Sequence, residues 1–175
     1  MHPPHQRPVA VIMMGVTGSG KSTIGRALAE RRGCAFLDGD DYHPQANIEK
    51  MRRGEPLNDD DRAPWLDILR ELITDKLAAG EDVVVACSAL RESYRQRLLP
   101  RNPDAASGVR FVYLRISPDL SRERLLARGG HFMPATLVGS QFAALEEPAD
   151  ALSIEAGRGV EEVVEQIDRS LPPRN

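Results

Sequence analysis

Short apolar runs alternate with amphipathic stretches along the chain. β-prone runs occupy Val9 to Met14, Ala35 to Leu37, Asp82 to Cys87, Val109 to Ile116 and Ala151 to Ile154. Because these runs are apolar at successive rather than alternate positions, they predict strands buried on both faces. Helical patterns lie between the runs. This order predicts an α/β fold in which a central parallel sheet is covered by helices on each side.

The predicted helices follow from apolar residues spaced three and four positions apart. Their approximate ranges are Ser22 to Arg32, Pro64 to Ala79, Arg91 to Leu99, Pro118 to Arg128 and Val160 to Leu171. Glycine or proline follows several of these patterns and ends them. At 175 residues the chain is long enough for one domain and short for two. We therefore predict one domain over residues 9–171, with disordered tails at 1–8 and 172–175.

Composition and charge limit the partners of this domain. A net charge of −3 argues against a nucleic-acid surface. The apolar runs are far shorter than the roughly 20 residues needed to cross a bilayer, and the N-terminus lacks a signal-peptide pattern. Cys34 and Cys87 lie inside apolar runs, which predicts two buried, reduced thiols. These features together predict a cytoplasmic protein.

The first apolar run leads into a phosphate-binding motif. Gly15-Val16-Thr17-Gly18-Ser19-Gly20-Lys21-Ser22 matches G-x-x-x-x-G-K-[ST] in full. Glycines let backbone N–H groups wrap around phosphate oxygens, and the following helix adds its positive end. We expect Lys21 to reach the β- and γ-phosphates, the Ser22 hydroxyl to bind Mg²⁺, and Thr23 to lie beside the α-phosphate. The motif therefore predicts binding of ATP and magnesium.

Carboxylates follow the second run. Asp38 and Asp40, two positions apart at the end of an extended segment, are expected to point to the same side, towards the phosphate motif. One can organise the Mg²⁺ shell through water, and the other can orient an acceptor hydroxyl. A second acidic run, Asp59 to Asp61, follows Asn58. There we favour capping of the next helix over a metal site.

An arginine-rich segment next to glycines predicts a mobile lid over about 124–140. Kinases of small molecules must exclude water while the phosphoryl group moves. Arg124 and Arg128 precede Gly129 and Gly130, and arginine can neutralise charge on the transferring group. We expect Arg128 in particular to act on the phosphates.

Several segments resemble the small P-loop gluconokinases, relatives of shikimate and adenylate kinases. The matching segments span about Met14 to Pro148 and include Phe36-Leu37-Asp38-Gly39-Asp40, His43-Pro44, Asn47-Ile48-Glu49-Lys50-Met51, Gly54-Glu55-Pro56-Leu57-Asn58-Asp59-Asp60-Asp61-Arg62, Pro64-Trp65-Leu66, Cys87-Ser88-Ala89-Leu90, Tyr94-Arg95, Gly130-His131-Phe132 and Gln141-Phe142. Of these, the segment from Gly54 to Arg62 with the following Pro-Trp-Leu is the most specific.

The resemblance implies a P-loop nucleoside-kinase-like, three-layer fold and transfer of phosphate from ATP to gluconate, giving 6-phosphogluconate. It implies that Asp40 holds the acceptor hydroxyl, that Asp38 holds the magnesium waters and that Arg124 lies against adenine. It also implies a homodimer. Residues at matching positions that are expected in the sugar-acid pocket are His43, Lys50, Arg62, Arg95 and Gln141.

Two other functions stay open at this point. One is a kinase for a different acceptor, such as shikimate or a nucleoside monophosphate, since the surplus of basic residues does not distinguish gluconate from shikimate. The other is a non-catalytic P-loop nucleotide switch. The arginine-rich lid and the Asp38/Asp40 pair argue against a switch, because a switch needs neither an acceptor site nor exclusion of water.

Overall fold

The structure is a computed structural model that describes residues 6–129 and 136–173. The outer parts of both predicted tails lie outside the described residues. So does the centre of the predicted lid, including Gly130, His131 and Phe132.

The strands form one parallel sheet, as the continuous apolar runs predicted. In the described part of the chain the strand order is β2-β3-β1-β4-β5, and every neighbouring pair is parallel. Every residue of β1 and β3 is buried, because both strands are central and covered by helices on each face. The strands are β1 (Ala10–Met14), β2 (Ala35–Asp38), β3 (Val83–Ala86), β4 (Val109–Arg115) and β5 (Leu152–Glu155).

Helices cover both faces of the sheet and complete three layers. They are α1 (Lys21–Arg32), α2 (Gln45–Arg52), α3 (Asp59–Ala78), α4 (Glu92–Leu98), α5 (Pro103–Ala106), α6 (Pro118–Ala127), α7 (Thr136–Ala144) and α8 (Val160–Ser170), with a 3₁₀ helix at Gly39–Tyr42. On one face, Leu28 of α1 and Ile167 of α8 pack against Val11. On the other, Leu69 of α3 and Leu98 of α4 pack with Ile12. No helix in the described ranges is long and apolar enough to cross a membrane.

Helix α3 begins five residues before the predicted start at Pro64. The side chain of Asn58 accepts a hydrogen bond from the Asp61 N–H (2.8 Å), and the Asp61 carboxylate accepts one from the Asn58 N–H (2.9 Å). This reciprocal capping box starts the helix, so Pro64 lies inside it. The acidic run thus forms the first turn of the helix, where negative charge is favourable. The capping interpretation is confirmed.

The helices α2, α5 and α7 and the 3₁₀ helix were not predicted. The reason is clearest for α2, whose one buried residue is the polar Asn47, so that the helix has no apolar stripe. Within the predicted lid, the described ends are helical and belong to α6 and α7. Cys87 is buried as expected, but Cys34 is only half-buried, and the prediction of two buried thiols is wrong for Cys34.

Candidate active site

The phosphate motif forms a tight loop between β1 and α1. Gly15, Gly18 and Gly20 have φ values of 147°, 76° and 94°, which residues with a side chain rarely adopt. A Cβ at Gly15 would lie 2.9 Å from both the Leu114 carbonyl oxygen and the Ser19 hydroxyl. The loop therefore requires glycine, and it ends at the N-terminus of α1, which together with the loop N–H groups can bind an anion.

Lys21 and Ser22 begin α1 and face the acidic end of β2. The ammonium group of Lys21 donates to the Val16 carbonyl (3.0 Å). Burial lowers the pKa of Lys21, while Asp40, Cys87 and Asp38 act in the opposite direction. Ser22 donates through its hydroxyl to Asp38 Oδ2 (2.8 Å). A hydroxyl and a carboxylate are thus paired directly beside the phosphate loop.

Asp38 and Asp40 lie together, although not as alternate residues of one extended segment. The chain turns after Asp38, whose Oδ1 accepts a hydrogen bond from the Asp40 N–H (3.1 Å) and caps the 3₁₀ helix. The Asp40 side chain is 87% exposed and opens onto a cleft shared with Lys21. Partial desolvation by the surrounding cleft raises the pKa of Asp40, and the charge of Lys21 opposes this rise.

His43 is held in a defined orientation beside Asp40. Its ring stacks on Trp65 with centroids 4.1 Å apart, and burial, followed by the charge of Arg62, lowers its pKa to about 4. The side-chain nitrogen of Asn47 donates to the Asp61 carbonyl (2.9 Å) and lies 3.3 Å from His43 Nδ1. Because an amide nitrogen is a donor, Nδ1 accepts and the proton lies on Nε2, 3.8 Å from Asp40 Oδ1.

A cavity of about 120 Å³ joins these groups. The predicted site residues that line it come from four separate segments of the chain: Thr17, Lys21, Asp40, His43, Arg62 and Gln141. Met51, Glu55, Pro56, Leu57, Trp65, Ser88, Leu137 and Ser140 complete the lining. The structure thus brings the phosphate loop, an exposed carboxylate and a set of polar and cationic side chains to one opening.

Two residues expected in the sugar-acid pocket do not line this cavity. Lys50 pairs with Asp61 at 2.7 Å. Arg95 is 3% exposed, and its guanidinium donates to the backbone carbonyls of Ala89 and Glu146. This geometry does not support direct contact between Arg95 and a ligand in the cavity, because Nη1 and Nη2 of Arg95 donate to the backbone.

Arg62 and Gln141 both line the opening, and each has a defined partner. The Arg62 guanidinium lies 5.1 Å from the centroid of the Tyr94 ring and donates to the Tyr94 hydroxyl (3.1 Å). This contact orients its planar fork, the geometry that matches a carboxylate. Gln141 Oε1, on α7, accepts a hydrogen bond from the Thr17 N–H (2.7 Å). Gln141 therefore links α7 to the phosphate loop.

Helix α6 is also tied to the phosphate loop. Arg124 donates to the carbonyls of Gly18 (3.0 Å) and Ala156 (2.8 Å), and the fully buried Ser121 donates to the Thr17 carbonyl (2.7 Å). Arg128 caps the C-terminal end of α6 and is exposed. It lies close enough to Lys21 for its charge to lower the pKa of Lys21.

Sequence reasoning did not assign Asn47, Trp65, Ser88 or Ser121 to the site. For Ser88 a signal existed, since it follows a buried strand at its carboxyl end, where ligands of parallel sheets bind. Trp65 also donates to the Gly39 carbonyl (2.7 Å), which no local pattern indicates.

Comparisons with known proteins agree with this geometry. A family model described as an AAA domain matches residues 11–151. A probable gluconokinase of Xenopus tropicalis is 42% identical over 172 residues, covering 90% of each chain. A crystal structure of a gluconokinase from Sinorhizobium meliloti 1021 has a TM-score of 0.77 and 42% identity, and the match covers 92% of this chain and 90% of that one.

A more distant similarity concerns the fold. A shikimate kinase from Acinetobacter baumannii, solved with shikimate, has a TM-score of 0.63 at 19% identity, with 91% of this chain and 90% of that chain covered. At this identity the likeness supports the three-layer fold and carries no information on the acceptor.

By contrast, the similarity to gluconokinases spans nearly the whole chain at about twice that identity. The chain belongs to the gluconokinase family.

Proposed function

We propose that this protein transfers the γ-phosphoryl group of ATP to D-gluconate, giving 6-phospho-D-gluconate and ADP. The observation that carries the proposal is the single cavity in which Lys21 of the phosphate loop faces the exposed carboxylate of Asp40, with Arg62 and His43 beside it. Family membership supports gluconate as the acceptor. A nucleotide switch would not need this second set of groups opposite the phosphates.

The nucleotide site is proposed over Gly15 to Thr23. The loop N–H groups and the start of α1 would bind the phosphates, and Lys21 would leave the Val16 carbonyl to reach the β- and γ-phosphates. Arg124, held by the carbonyls of Gly18 and Ala156, would form one side of the adenine site.

The residues beside the loop are suited to magnesium. Hydroxyl and carboxylate oxygens are ligands that Mg²⁺ prefers. The Ser22 hydroxyl oxygen and Asp38 Oδ2 lie 2.8 Å apart. No group of three acidic, histidine or cysteine side chains that could hold a metal occurs among the described residues, which suits an ion bound mainly by nucleotide phosphates and water. Ser22 would bind the ion and Asp38 its waters. When bound, the ion neutralises charge on the phosphates.

The acceptor side is proposed around Asp40. The carboxylate would orient the gluconate 6-hydroxyl and accept its proton as the oxygen forms a bond to the γ-phosphorus. The bond from that phosphorus to the bridging oxygen breaks, and ADP leaves with the electron pair. His43, neutral with its proton on Nε2, would donate to a sugar hydroxyl, and Arg62 would bind the carboxylate of gluconate.

The lid and the cell environment complete the proposal. Arg128, at the end of α6, would neutralise charge on the transferring group after the lid closes. We place the enzyme in the cytoplasm on its composition, in which the two cysteines lie inside apolar runs. A homodimer rests on the resemblance, and sedimentation equilibrium tests it.

The experiment is an acceptor panel on the purified protein. ATP and Mg²⁺ are supplied with gluconate, glucose, shikimate, a nucleoside monophosphate or no acceptor, and ADP release is measured by a coupled assay. ³¹P NMR identifies the product. We expect rapid turnover with gluconate alone and a phosphomonoester at its 6-position. Turnover with shikimate or a nucleotide but not gluconate would refute the proposal, and the absence of any acceptor-dependent turnover would refute a kinase.

A further inference from the structure

Arg95 on α4 is an arginine buried outside the acceptor cavity, and each arm of its guanidinium is engaged. Nη1 donates to the Ala89 carbonyl (2.8 Å), Nη2 to the Glu146 carbonyl (2.9 Å) and Nε to Glu92 (3.0 Å). Burying a charge is costly unless its hydrogen bonds are satisfied. Here the planar fork satisfies them by joining two backbone segments that are more than fifty residues apart in the chain.

The first of these segments carries one wall of the cavity. Ala89 has a φ of 45°, and among the described residues it is the one non-glycine residue with a positive φ. This conformation is unfavourable for a residue with a Cβ, and Arg95 holds the carbonyl that the turn presents. The preceding residue, Ser88, lines the cavity, and its carbonyl accepts a hydrogen bond from the Gly15 N–H (3.2 Å). The turn therefore sets the position of Ser88 against the phosphate loop.

The second segment follows α7, which forms another part of the cavity wall. Glu146 comes two residues after the end of α7, and its N–H donates to the Leu90 carbonyl (2.7 Å). From α7, Gln141 lines the cavity and accepts the Thr17 N–H of the phosphate loop (2.7 Å). The position of α7 is thus set by the contact of Gln141 with the phosphate loop and by the backbone contact of Glu146 just beyond the C-terminal end of the helix.

These contacts close a ring that includes three residues of the cavity lining, Thr17, Ser88 and Gln141. In order, it runs through Gly15, Ser88, Ala89, Arg95, Glu146, Gln141 and Thr17. The guanidinium of Arg95 does not line the cavity, and it joins the segments at Ala89 and Glu146, which the Glu146 N–H to Leu90 carbonyl bond also links.

We infer that the guanidinium of Arg95 fixes the separation of Ser88 and Gln141 in the cavity lining. Arg95 is therefore a positioning residue for the acceptor. The inference rests on the proposed phosphorylation of gluconate. Since the phosphate loop is built by its own glycines and by α1, loss of the fork should misplace the acceptor groups and leave the nucleotide site in place. Small displacements of positioned groups have large kinetic effects.

Two variants and one matched control test the inference. Arg95→Met removes the fork but keeps the aliphatic stem, and Arg95→Lys keeps the charge and one contact. Arg97→Met is the control, because Arg97 lies on the same helix and its exposed guanidinium binds Asp67 through two contacts (2.9 and 2.8 Å) away from the cavity. KM for gluconate, KM for ATP, kcat and the Kd of ADP are measured for each.

We expect Arg95→Met to raise KM for gluconate about tenfold or more, with the Kd of ADP changed less than about twofold. Arg95→Lys should recover part of the loss, and Arg97→Met should match the wild type. Amide exchange should accelerate in Arg95→Met at residues 88–91 and 145–147, and not in β1. If Arg95→Met does not fold, Arg95→Lys carries the same comparison.

A purely structural role predicts a lower melting temperature with an unchanged KM for gluconate, and that result would overturn the inference. Equal losses of affinity for ADP and gluconate would also overturn it. A wild-type protein that does not phosphorylate gluconate would instead overturn the proposed function. The two failures are therefore separate: the first appears in the variants of an active enzyme, and the second in the wild type.

Discussion

Lowering the pH should destabilise the folded protein through the imidazole of His43. Its side chain is 4% exposed, and burial together with Arg62 lowers its pKa from 6.5 to about 4. Between these two values the unfolded chain binds a proton that the folded chain does not, so stability falls as the pH falls. Applied to this pair of pKa values, linkage gives a loss of about 2 kcal/mol between about pH 7.5 and about pH 5.

The assay is urea unfolding of the wild type and of His43→Gln at both pH values. Other titrating groups contribute to both proteins, so the difference in pH dependence isolates His43. We expect the variant to lose about 2 kcal/mol less stability on acidification, equivalent to about 4–8 °C in Tm. Tyr42→Phe, a neighbouring ring that does not titrate in this range, should retain the full wild-type loss.

NMR titration of the imidazole provides a direct check. We expect a midpoint near 4 and no change of charge between about pH 6 and pH 8. A midpoint near 6.5, or equal pH dependence of His43→Gln and wild type, would show that the ring is not desolvated as the stacking on Trp65 implies.

The remaining predictions concern the reaction. Lys21→Ala should abolish turnover with the fold intact by circular dichroism, because it removes a charged donor worth about 1.5–3 kcal/mol in binding alone; near wild-type turnover would contradict its role. Asp40→Asn should lower kcat with gluconate by about 10²–10⁴ while ADP binds with unchanged affinity. Because the pKa of Asp40 is raised from its ordinary value of 3.8, wild-type kcat should fall on acidification. The midpoint of that fall should lie at a pH above 3.8. Asp38→Asn should lose activity that added Mg²⁺ partly restores, whereas Asp40→Asn should not respond. Arg128→Ala should lower kcat more than it raises KM for ATP, and the opposite split would exclude a role in the transition state.

Local physical chemistry made the phosphate site predictable from the sequence. The conformations of Gly15, Gly18 and Gly20 and the start of α1 depend on residues next to one another in the chain. The parallel sheet was predictable for a related reason. Runs without alternation, such as that in β3, can be satisfied only by burial on both faces. The family followed from the resemblance of several motif segments to gluconokinases, among which Gly54 to Arg62 with Pro64-Trp65-Leu66 is the most specific.

For side chains outside these local patterns, the tertiary structure decided the orientation. Arg62 and Arg95 were equal candidates for the sugar-acid pocket, yet Arg62 lines the cavity and Arg95 binds two backbone carbonyls. An arginine has the same donors in both places, and the direction it takes depends on the elements packed around it. The helix α2 was missed because its buried residue is Asn47, whose partners are His43 and Asp61.

The sequence by itself determined the sheet, the phosphate loop and the family of this protein. Only the packing of α3 and α7 beside the phosphate loop and the 3₁₀ helix decided which polar side chains line the acceptor cavity. The physical reason is that glycine conformation, helix capping and burial of continuous apolar runs are governed by neighbours in the chain. A cavity, by contrast, is formed by residues such as Asp40 and Gln141, which are about a hundred positions apart in the chain. No local pattern in the sequence predicts that two such residues lie together.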